Sequence, residues 1–124
     1  MKGFTREDSG EIGFVTSCLF TDAVDTKEMQ QWILKVLEKS ESSYPTYLID
    51  LLDLNVPLHI FKVIGFVPHW PFSEDARLAL WGIAFKRGRQ TYDCPVSREE
   101  AIRTIAEYPE VESKFRAEFP FLSW

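Results

Sequence analysis

Histidine, cysteine and methionine are scarce in this chain, two of each in 124 residues, and that scarcity narrows the chemistry open to it. His59, His69, Cys18 and Cys94 form no Cys-x-x-Cys or His-x-x-x-His pattern, which disfavours structural zinc. Two lone cysteines in a chain with ample apolar residues are expected to be reduced thiols, as in cytoplasm. No glycine-rich phosphate loop is present, because Gly10-Glu11-Ile12-Gly13 lacks both the third glycine and a preceding strand. No apolar run approaches the roughly 20 residues of a membrane span. Met1-Lys2 leads into a polar, charged stretch rather than the apolar core of a signal peptide. No cofactor and no membrane partner are therefore expected.

Positive charge is also in deficit. Fourteen Lys and Arg face nineteen Asp and Glu, a net charge of −5 with the histidines neutral. Non-specific nucleic-acid binding relies on neutralising phosphates with cations, so a direct nucleic-acid partner is disfavoured and a basic protein partner favoured. The acidity concentrates in residues 1–62, where six basic side chains meet ten acidic ones.

What the chain has in abundance is aromatic and apolar surface. Aromatics make up 15% and hydrophobic residues 45% of the sequence. At this length one domain can bury a real core without staples. No repeat, low-complexity segment or linker interrupts residues 1–124, so a single, mostly α domain of about six or seven short helices is expected.

The elements follow from punctuation and periodicity. Thr5-Arg6-Glu7-Asp8 has a capping-box-like spacing ahead of the stripe Ile12, Val15, Leu19. Asp25 with Glu28 precedes Met29, Trp32, Ile33, Val36 and Leu37, an amphipathic helix running out into the polar stretch Lys39–Ser43. Pro45 and Pro57 each open a further short helix. The second of these, Leu58 to Ile64, is rich in β-branched residues, which leaves a short strand pair over 58–67 and 80–86 as the alternative. Pro57 in front and Gly65 behind favour helix.

Phe66–Phe72 holds Pro68 and Pro71 around His69-Trp70 and reads as a stiff corner. Ser73 caps the apolar run Leu78–Phe85, which Gly88 terminates. Ser97-Arg98-Glu99-Glu100 is a capping box, Pro109 separates the last two helices, and Pro120–Trp124 is apolar enough to fold back onto the domain.

Each candidate for chemistry has a plainer explanation beside it. Cys94 with His59 or His69 as base would make a small hydrolase, but a loop thiol is the commoner state and nothing here activates it. Glu74-Asp75 and Glu99-Glu100 lie in first turns, where the helix dipole accounts for them. Lys86-Arg87-Gly88-Arg89 complements a helix C-terminus. Asp22, Asp25 and Glu28, together with Asp50 and Asp53 three apart on one helix, remain as the acidic side of a partner-binding surface. Trp70, on its stiff corner, either fills the core or anchors an interface.

Two segments carry a resemblance. Ile64-Gly65-Phe66-Val67-Pro68-His69-Trp70-Pro71 and Leu80-Trp81-Gly82-Ile83-Ala84-Phe85-Lys86-Arg87-Gly88 look like pieces of small bacterial proteins. With its size and acidity, the chain resembles the immunity proteins of contact-dependent growth-inhibition systems. That resemblance implies a cytoplasmic, non-enzymatic protein that neutralises one cognate toxin, often a nuclease, by binding its C-terminal domain. It carries no functional residue over. A helical adaptor subunit of a larger assembly is the further alternative.

Overall fold

The computed structural model describes residues 1–41 and 43–124. Among them the chain is all helical. Seven α-helices run in the order α1 (Gly10–Phe20), α2 (Thr26–Lys39), α3 (Tyr47–Leu51), α4 (Ile60–Ile64), α5 (Leu78–Lys86), α6 (Arg98–Glu107) and α7 (Pro109–Glu118). Single 3-10 turns at Pro57–His59 and Asp75–Arg77 lead into α4 and α5. The chain divides into two compact units, one of Met1–Leu19 with Asp25–Pro71, the other of Phe20–Val24 with Phe72–Trp124.

In the first unit α2 begins as its sequence dictates. The Asp25 carboxylate accepts from the Glu28 N–H at 2.8 Å and Glu28 Oε1 accepts from the Asp25 N–H at 3.0 Å, a complete capping box. Met29, Trp32 and Ile33 are buried beneath it. Of the polar stretch that follows, Ser40 caps α2 and residue 42 lies outside the described residues. The Gln30 amide donates to the carbonyls of Leu51 (3.2 Å), Leu52 (3.0 Å) and Leu54 (3.2 Å), fastening α2 to the end of α3. Those carbonyls belong to the last residue of α3 and to the turns just after it, where the helix supplies no i+4 donor.

The first helix starts later than its sequence spacing suggests. Thr5 does not cap it; instead Thr5 Oγ1 accepts from the Asp8 N–H at 3.1 Å and closes a local turn, and the helix opens at Gly10. The leading segment is pinned by side chains. The Tyr47 hydroxyl donates to the Phe4 carbonyl, the Phe4 ring stacks on Trp32 at 5.7 Å, and Arg6 donates to the Gly65 carbonyl at 2.9 Å while lying over the Phe66 ring.

Residues 58–64 and 80–86 are helical and 65–67 are turn and irregular backbone, so no strand pair forms there. Gly65, at φ 90°, takes the left-handed position that ends α4, and its N–H reaches the Phe61 carbonyl at 2.9 Å. The β-branched side chains of α4 are tolerated because Ile60 and Ile64 are packed in the core, where burial outweighs weak propensity.

In the second unit α5 lies against α6 and α7. Gly82 permits this approach, since a Cβ there would collide with the Ala101 carbonyl. α5 ends in a Schellman motif, with Arg89 N–H on the Ala84 carbonyl and Gly88 N–H, at φ 75°, on that of Phe85. Ser97 caps α6 by accepting from the Glu100 N–H at 3.2 Å. The apolar terminus folds back as its composition requires: Trp124 sits edge-on to Phe115 at 5.7 Å, beneath the Arg116 guanidinium.

Candidate functional site

The residues predicted to form an acidic interface separate into three structural roles. Asp25 and Glu28 are engaged in the capping box, so their carboxylates serve α2 first. Asp22 belongs to the second unit, half-buried and held at φ 65°. Burial, with the Asp93 carboxylate adding to it, raises its pKa, and the nearby Arg89 opposes that rise. Only Asp50 and Asp53 are brought together at one concave feature.

Trp70 is 5% exposed and stacks on Phe14, ring centroids 5.7 Å apart and planes within 10°. It fills the core of the first unit and does not act as an outward anchor. The corner that carries it is fixed by backbone contact. The His69 N–H donates to Ser9 Oγ at 2.8 Å, and the His69 carbonyl lies where a Cβ on Gly13 would have to sit.

The concave feature is an open groove of about 400 Å³ in the first unit, lined by Asp50, Asp53, Leu54, Asn55, Val56, His59 and Val63. Its walls follow from local sequence. The short α3 ends at Leu51 and continues through two tight turns, Asp53 N–H to the Asp50 carbonyl and Leu54 N–H to that of Leu51. These turns keep both aspartates exposed while Leu54 is drawn into the core. Pro57 then starts the 3-10 turn that presents His59, and α4 supplies Val63. Ile49, Val56 and Leu58, in the same stretch, are large apolar side chains left facing water, Leu58 at 77% exposure.

No protein-family model, curated protein or solved structure matches the chain. The site's meaning rests on its own chemistry.

The groove offers two carboxylates, one amide, one imidazole and three aliphatic side chains, with no Lys or Arg among its lining residues. No group of three or more His, Cys, Asp or Glu among the described residues is placed to share a metal ion. Cys94, in the second unit, donates its thiol hydrogen to the Val96 carbonyl at 3.2 Å. Both cysteines are thiols, Cys18 within the buried face of α1. Among the described residues, no helix is long and apolar enough to cross a membrane.

Sequence reasoning singled out Asp50 and Asp53 but not His59, Asn55, Val56 or Val63 as their neighbours. The available signal was Asn55-Val56-Pro57, a breaker directly after the acidic pair. It brings the start of α4 back toward the end of α3.

Proposed function

We propose that this protein is a non-enzymatic binding protein that neutralises a cognate bacterial toxin in the cytoplasm by covering the surface of the toxin's C-terminal domain. A nuclease is the favoured toxin. An enzyme that holds a polyanion carries a basic active face, and a protein with five excess negative charges is drawn to such a face and selects for it.

The observation that carries this reading is the pairing of Asp50 and Asp53 at a groove with aliphatic walls, in the same stretch of chain as exposed Ile49, Val56 and Leu58. Carboxylates accelerate encounter with a basic surface, and desolvated apolar side chains slow release. Exposed apolar side chains gathered in one stretch mark contact surface more often than scattered ones do. Trp70 has no part in this surface, so the apolar contribution falls to Leu58 and its neighbours.

Co-expression with the polypeptide encoded immediately upstream tests the proposal. The expected result is that the neighbour alone arrests growth, that this protein restores it, and that the two co-purify. A neighbour that is harmless and not retained refutes it.

A further inference from the structure

Within that reading, and resting on it, we propose that the Asp50–Asp53 groove receives an arginine side chain from the partner, carried on a segment with apolar neighbours. Three features converge on this occupant. First, the groove holds two carboxylates from positions three apart, and no lining cation answers them. Second, Val56 and Val63 supply aliphatic surface for the methylene stem of a long cationic side chain. Third, the groove is open and of about 400 Å³, room for an arginine side chain presented from an extended segment.

Arginine suits the site better than lysine. Its guanidinium is more weakly hydrated, so it gives up less on entering a half-apolar groove. Its planar fork can donate to two carboxylates at once, with the Asn55 side-chain oxygen as a further acceptor, whereas an ammonium acts as a point charge. Exposed Val56, one of the lining residues, then meets an apolar residue flanking the arginine.

The test uses the full chain, isotopically labelled for amide NMR, titrated with the acetylated and amidated pentapeptide Ala-Leu-Arg-Leu-Ala. A second peptide carries citrulline, the neutral isostere, at the central position. The expected result is a saturable perturbation concentrated in residues 50–63, about tenfold weaker for citrulline, as loss of a charge-assisted hydrogen bond requires. The variant Asp50→Asn/Asp53→Asn, whose substitutions are exposed and nearly isosteric, should keep the wild-type amide spectrum elsewhere and lose the response. Equal response to arginine and citrulline, perturbation outside residues 50–63, or no response at millimolar peptide overturns the proposal.

Two outcomes separate this inference from the reading beneath it. If the double variant retains a co-expressed toxin at wild-type affinity, the groove is not the docking point, although neutralisation stands. If the arginine peptide binds as described but the wild type retains no toxin, the groove's specificity stands and neutralisation fails.

Discussion

Gly13 lies directly against the His69 carbonyl, so close that any side chain on residue 13 would occupy the same space as the peptide. One backbone contact thereby joins α1 to the Pro68–Pro71 corner and holds Trp70 over Phe14. Gly13 weakens its own helix by about 1 kcal/mol relative to alanine, yet tertiary contact makes the small residue necessary.

The two glycines of α1 should therefore respond to alanine in opposite senses. Gly13→Ala must push the corner away and is expected to destabilise by about 2–3 kcal/mol, net of its propensity gain. Gly10→Ala meets only Pro71 Cβ at 3.6 Å, an ordinary contact. It should be neutral or stabilising by up to about 1 kcal/mol. Denaturant melts of the two variants check the pair.

Trp70→Ala removes one ring of the buried Phe14 stack and should cost about 3–5 kcal/mol. Trp70→Phe should recover most of that, because the stacking partner survives. Binding to any partner, measured on the folded fraction, should be unchanged in Trp70→Phe.

Asp25→Ala deletes the side-chain acceptor of the α2 capping box and should cost about 1 kcal/mol. Urea titration with circular dichroism measures it. Asp25→Ser, which preserves the cap, should restore stability while removing the charge.

Asp22 gives a pH signature. Its folded pKa stands above the ordinary aspartate value of 3.8 because burial disfavours the charged form, so the unfolded chain ionises more readily than the folded one. The ionised carboxylate therefore costs stability above the folded pKa, and that cost is relieved as pH falls through it. Asp22→Asn should raise the melting temperature at neutral pH, and the advantage should shrink as pH falls toward the carboxylate range. Asparagine is also compatible with φ 65° at this position. A gain that is the same at every pH would contradict the burial argument.

These particulars show how much of the molecule its sequence made legible. Asp25–Glu28, Gly65 and Gly88 do locally what their chemistry dictates, because each acts within four residues. Ser97, by contrast, makes only its own half of the expected capping box, and Ser73 accepts from the Ala76 N–H in the 3-10 turn ahead of α5 and does not cap α5 itself. The Thr5 spacing misled because the same hydroxyl-to-amide bond closes a turn as readily as it caps a helix. Trp70 could be read either way, since the choice between core and surface depends on Phe14, 56 positions earlier in the chain. The groove was half visible. Asp50 and Asp53 announce themselves by spacing, whereas His59 and Val63 join them only through the reversal at Pro57.

Association kinetics probe most directly whether Asp50 and Asp53 meet a basic partner. With the partner recovered by co-purification, stopped-flow binding is measured for the wild type and for Asp50→Lys/Asp53→Lys across a range of ionic strength. Association of the double variant should be slowed by about tenfold or more at low salt, with a visibly flatter salt dependence. Wild-type rates and an unchanged salt slope would contradict that expectation.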